Sequence, residues 1–247
     1  VKNKRIQYRK KNSGQIPRTV KHSCWTIKKR NLMEEKVAIH APFAKLLSYL
    51  LHPLFMPFYG LLLLFFSNRL NGFNYYASEE SAKANLQLFL YVFTFTLIIP
   101  LGFAYYLKRS GKIASLEMEK KEDRQIPFLI TAISYFLGFI IIQREIGSII
   151  HPFVIWILVG AELGIIATLI ISLFWKISIH MIGIGGIVGI SILMMKMNMQ
   201  WDNYLYSSIL IAGLLAYARL RLEAHTFLQV LVGFLIGVLS EAIFLLA

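Results

Sequence analysis

The 247-residue chain is 57% hydrophobic and only 16% charged, and its apolar residues fall in long blocks, which excludes an ordinary soluble domain and indicates an integral membrane protein. Its formal charge of +13 is not a nucleic-acid signal, because residues 1–32 carry eleven Lys or Arg and no acid, leaving 15 basic against 13 acidic residues elsewhere. The membrane body is close to neutral.

Residues 1–42 have no apolar period and read as a basic, disordered head on the cytoplasmic side, suited to anionic headgroups. The lone Cys24 permits no internal disulfide. No cleavable signal peptide is visible, and Met33 opens a stretch that reads as a membrane-protein start. Residues 43–247 are expected to form the transmembrane domain. Their apolar runs at 43–66, 86–107, 126–142, 150–175, 180–195, 204–218 and 226–247 predict seven spans, with the third, fifth and sixth short. Pro53, Pro57 and Pro100 are expected to bend the first two, and the charged segment 108–123 reads as a surface helix or loop.

Three glycine pairs at four-residue spacing, Gly160 with Gly164, Gly185 with Gly189 and Gly233 with Gly237, predict close helix packing inside the membrane. Glu162 sits mid-span, where an ionisable group is costly and marks a functional candidate. His52 and His151 each precede a proline near a span end and read as structural. Lys176 and Arg221 read as interfacial cations that snorkel.

Counting crossings puts Arg124, His180, Arg219 and His225 on one membrane face together with the amino terminus, and the excess of Lys and Arg makes that face cytoplasmic. Arg219 precedes His225 by six residues, and Gln229 follows His225 by four, one helical turn on the same face. Gln229 can then orient one imidazole nitrogen and leave the other for a substrate.

The run Ala218-Arg219-x5-His225-x3-Gln229 resembles the third motif of the type 2 phosphatidic acid phosphatase superfamily, Ser-Arg-x5-His-x3-Asp. Ile177-Ser178-Ile179-His180 resembles the second, Pro-Ser-Gly-His, keeping Ser and His. Arg124, with Glu117 seven residues before it and Pro127 after it, is the weaker likeness of the first, Lys-x6-Arg-Pro. The resemblance runs from about Lys120 to Gly237 and implies an all-α, multi-span helical bundle with the phosphatase and haloperoxidase-like core.

It further implies a lipid phosphate or diphosphate phosphatase that needs no cofactor and no metal. His225 would be the nucleophile that forms a phosphohistidine, His180 the general acid, and Gln229 the residue that orients His225 in place of the family aspartate. Arg124, Ser178 and Arg219 would bind phosphate, with Lys120 or Lys121 in place of the motif lysine. The implied substrates are membrane lipids such as phosphatidic acid, phosphatidylglycerol phosphate or prenyl diphosphates, in a bacterial inner membrane. Glu223, two residues before His225, cannot share its helical face but is expected to be within reach of it from a loop. The alternative is a catalytically degenerate protein that binds or moves an anionic lipid, because Gln229 brings no negative charge.

Overall fold

A computed structural model describes residues 42–116, except 72–78, together with 118, 122–196 and 201–243; the side chains of 66–71 lie outside the description. The basic head, apart from Pro42, and Lys120 and Lys121 also lie outside it. Every described element is helical. In chain order they are α1 (residues 42–50), α2 (Met56–Asn71), α3 (Glu79–Phe93), α4 (Ile99–Arg109), α5 (Glu122–Ile146), α6 (Pro152–Phe174), α7 (Ile179–Lys196), α8 (Asp202–Arg221) and α9 (Phe227–Ala242).

Each of the seven apolar runs coincides with a helical segment. Five of these are long and apolar enough to cross a membrane: Pro42–Phe65, Glu79–Arg109, Glu122–Ile146, Pro152–Phe174 and Ile179–Lys196. The chain is therefore an integral, multi-pass helical membrane protein. The third run, expected to be short, belongs to a helix of 25 residues, because Glu122 and Asp123 continue it as favourable acids in the first turn. The charged stretch is helical only at its ends, where α4 runs to Arg109 and α5 starts at Glu122, and forms turns and bends at 110–116, the loop of the two expectations.

The prolines act locally. Pro53 follows His52, whose backbone is extended and whose Nδ1 accepts from the Leu54 amide at 3.4 Å, so the first span breaks between α1 and a 3-10 turn at Pro53–Phe55. His151 caps α6 in the same way, accepting from the Phe153 amide at 3.2 Å ahead of Pro152. Pro100 has no N–H to donate into the preceding turn, and the chain widens there into a π-helical segment, Thr94–Ile98, between α3 and α4.

Helix α7 is the buried centre, flanked by α2, α6, α8 and α9. Large apolar side chains such as Leu90, Ile133, Ile170, Leu210 and Leu239 face outward, as a lipid solvent permits. Within the bundle, burial alone gives little drive, so close backbone approach has to supply packing. Two of the three glycine pairs supply it between α7 and α9, and the third admits side chains of α9. A side chain at Gly185 would strike the Phe234 carbonyl, one at Gly189 would come within 2.7 Å of the Val238 carbonyl, and one at Gly237 would strike the Ile182 carbonyl. Gly233 faces the Ser178 carbonyl at 2.7 Å, while Gly160 and Gly164 make room for Glu241 and Ser240.

These contacts predict opposite outcomes for two alanine substitutions. Gly237→Ala drives a methyl group into backbone and is expected to cost about 1–3 kcal/mol, lowering the thermal unfolding midpoint in mild detergent. Gly213→Ala on α8 meets nothing within 4 Å and is expected to leave the midpoint unchanged or raise it, since alanine favours a helix by about 1 kcal/mol over glycine.

Candidate phosphate site at the helix ends

Helix α7 packs parallel on α9, so both begin at the same end of the bundle. Gly233 lies two turns into α9 and faces the Ser178 carbonyl just before α7, and His180 is within electrostatic reach of His225.

That loop is shaped by how α8 ends. Ala224 N–H donates to the Arg219 carbonyl and Glu223 N–H to that of Leu220, the paired bonds of a Schellman motif. Glu223 takes the left-handed position at φ 51°, where glycine would be unstrained. The turn carries the chain back to His225, while the exposed Glu223 terminates the helix and is not the partner of the imidazole. The expectation that Glu223 might serve His225 is replaced by this role.

The partner is Gln229. Its Oε1 lies 3.1 Å from His225 Nδ1 and also accepts the Thr226 N–H at 3.2 Å, while Thr226 Oγ1 accepts the Gln229 amide at 3.5 Å. Thr226 and Gln229 thus form a capping box at the start of α9. Because the backbone N–H can only donate, the Gln229 atom it meets is the amide oxygen, which fixes the flip of the side chain. The same oxygen then requires His225 Nδ1 to carry the proton. Nε2 is left with its lone pair.

His225 is buried, with 8% of its surface exposed. Burial is the largest cause holding its pKa down to about 3, the Arg219 charge lowers it further, the Gln229 bond raises it, and the charges of Arg124 and Lys176 lower it again. The imidazole is neutral at physiological pH and surrounded by cations. Lys176, read as an interfacial cation, also belongs to this electrostatic neighbourhood.

His180 is fixed from the other side. Its Nε2 is 3.2 Å from the Ser48 carbonyl, an acceptor only, so Nε2 carries a proton. The break at His52-Pro53 ends α1 and leaves Ser48 among the terminal carbonyls that need an outside donor. Nδ1 of His180 is buried with no hydrogen-bond partner among the described residues, and so is Oγ of the fully buried Ser178. Such atoms are costly unless a ligand or water meets them. Arg219 donates from Nη1 to Ser48 Oγ at 3.3 Å. Arg124, 7% exposed, donates from Nε to the Met118 carbonyl at 2.6 Å and from Nη1 to the Ile177 carbonyl at 3.4 Å, tying α5 to the Ser178 segment.

The structure therefore brings together Arg124, Ser178, His180, Arg219, His225 and Gln229. It adds Ser48 and His52, whose ring meets that of His180 edge-on at 5.5 Å between centroids. His52 does have the structural capping role expected of it, but its position beside His180 was not legible in the sequence. Ser48 gave no signal there, being one serine in an apolar run. Lys120 and Lys121 fall outside the described residues. Among the described residues no group of three or more His, Cys, Asp or Glu side chains is arranged to hold a metal ion. No family model, curated protein or solved structure matches the chain.

The geometry predicts a nitrogen-15 NMR signature for His225: the neutral tautomer with the proton on Nδ1, unchanged from pH 7 down to pH 5, because its pKa is held near 3. Arg219→Gln removes a lowering charge and moves the titration upward. An imidazolium signal for His225 in the wild type at pH 6 contradicts the arrangement.

Proposed function

We propose that the chain is a membrane lipid phosphate or diphosphate phosphatase that works through a phosphohistidine and needs no metal, with the core of the type 2 phosphatidic acid phosphatases. The observation that carries this reading is the pair of oppositely anchored histidines: His225 tied at Nδ1 with Nε2 bare, and His180 tied at Nε2 with Nδ1 unmet. Each imidazole keeps one bare lone pair, on His225 Nε2 to attack and on His180 Nδ1 to take up and hand on a proton.

In the proposed reaction Arg219, Arg124 and Ser178 hold the phosphoryl oxygens. The lone pair of His225 Nε2 attacks phosphorus as the bond to the ester oxygen breaks. The substrate's own phosphate proton, taken up by the lone pair of His180 Nδ1, passes to that oxygen, releasing the lipid alcohol, or the lipid monophosphate from a diphosphate. His180 then takes a proton from water as its oxygen attacks phosphorus, and the P–N bond breaks to restore His225 and release phosphate. The Gln229 oxygen accepts from Nδ1–H throughout, although it cannot neutralise the positive charge that the ring acquires.

A site at helix ends suits a phosphate in the interface with its tail in lipid. Phosphatidic acid, phosphatidylglycerol phosphate and prenyl diphosphates are the substrate classes in this reading, which also takes a seven-span bundle in a bacterial inner membrane with the site on the cytoplasmic face. The neutral Gln229 favours a second reading, a protein that binds or moves anionic lipids without turnover.

Phosphate release from these lipids, measured with purified protein in chelator, separates the two. Wild type is expected to turn over, His225→Ala to lose turnover to background, and His180→Ala to lose about 10²–10⁴-fold. Gln229→Glu keeps an acceptor oxygen on both partners and adds charge, so kcat is expected to rise by about tenfold or more. Lipid binding without release by wild type and Gln229→Glu alike supports the second reading.

A further inference from the structure

A cavity of about 110 Å³, open on one side, lies between α5, α6, α7 and the 3-10 turn before α2, and Glu241 of α9 forms part of its wall. Most of the lining is apolar, including Phe128, Ile157, Ile165, Ile182 and Ile187. Besides the hydroxyl of Tyr135, the wall carries three that have already spent their protons on their own helices: Thr131 donates to the Pro127 carbonyl at 2.8 Å, Thr168 to that of Gly164 at 2.8 Å and Ser240 to that of Gly237 at 2.9 Å. These groups can only accept from a ligand.

Glu241 is the strongest acceptor among them. It is 3% exposed, and its Oε2 has no hydrogen-bond partner among the described residues. Its carboxyl occupies space that three glycines on two other helices leave open. A side chain at Gly160 would strike the carboxyl, one at Gly189 would lie 2.9 Å from Glu241 Cβ, and one at Gly186 would lie 3.8 Å from Oε1. Gly186 and Gly189 are about 10 to 15 Å along α7 at 1.5 Å per residue, which places the carboxyl deep in the bundle. Intramembrane carboxyls are costly and are kept where they meet a partner.

We infer that this cavity is a second binding site, separate from the phosphate site, for an amphiphile with one hydrocarbon chain that ends in a hydrogen-bond donor, hydroxyl or ammonium, received by Glu241. An apolar pocket with a few fixed polar groups is the usual form of a small-molecule site. A plain hydrocarbon would leave Oε2 unmet, and a bare hard cation would need more oxygen ligands than one carboxyl offers. The site is independent of turnover at His225, since none of its polar groups takes part in that chemistry.

The test uses the full chain in lipid nanodiscs, with empty discs as background, and measures binding of dodecanol, dodecylamine and dodecyl methyl ether, which has no donor. At least one of the first two is expected to bind tenfold or more tightly than the ether. Glu241→Gln keeps an acceptor oxygen without charge. If the natural head is ammonium, dodecylamine loses tenfold or more in this variant; if hydroxyl, dodecanol changes less than about threefold. Ala161→Phe fills the cavity without touching the carboxyl and is expected to abolish binding of both, which decides the matter if Glu241 variants fail to fold. Equal binding of all three probes, or binding that survives Ala161→Phe in folded protein, overturns the inference.

Discussion

The close approach of α7 to α9 is the constraint on which the site depends. Lipid gives two apolar helices no reason to prefer each other over the bilayer, so the contact relies on backbones meeting where glycines leave no side chains. Gly185 and Gly189 receive carbonyls of α9, while Gly233 and Gly237 receive carbonyls of the segment from Ser178 to Ile182. Because the helices run parallel, both begin at the same end of the bundle, which brings the segment carrying Ser178 and His180 within electrostatic reach of His225. A side chain at Gly233 would disturb the Ser178 carbonyl directly, so packing and site geometry are coupled there.

Local backbone chemistry then sets the protonation pattern. The capping box at Thr226 immobilises Gln229, the same amide oxygen selects the Nδ1–H tautomer of His225, and the open carbonyl at the end of α1 selects Nε2–H for His180. Gln229, which stands where the resembled motif has Asp, thus holds the imidazole in place while serving as a helix cap. What it does not supply is charge. With Arg219, Arg124 and Lys176 in reach, the pocket is strongly cationic around a neutral imidazole, an environment matched to a multiply charged phosphate.

Much of this was legible from residue order. The apolar runs located the helices and the glycine spacing identified the packing faces, and of the residues the crossing count expected on one face, Arg124, His180 and Arg219 each lie within electrostatic reach of His225. Other features depended on contacts that no local pattern encodes. Ser48 became part of the site only because a proline break ended α1 at the right height, and His52 came to lie against His180 through the same break. Glu241 was hidden in the last apolar run because the glycines that accommodate it lie on α6 and α7. Glu223 misled, since its proximity in sequence to His225 is used by a left-handed turn that leaves it exposed.

The central claim is that His225 Nε2 accepts the phosphoryl group. It is tested most directly by rapid quenching of the protein with a phosphorus-32-labelled lipid phosphate, followed by peptide mapping of acid-labile, alkali-stable label. The account predicts label on Nε2 of His225, formed and discharged during turnover and absent from His225→Ala. Turnover with no labelled histidine, label on another residue, or lipid binding with neither label nor release would contradict it.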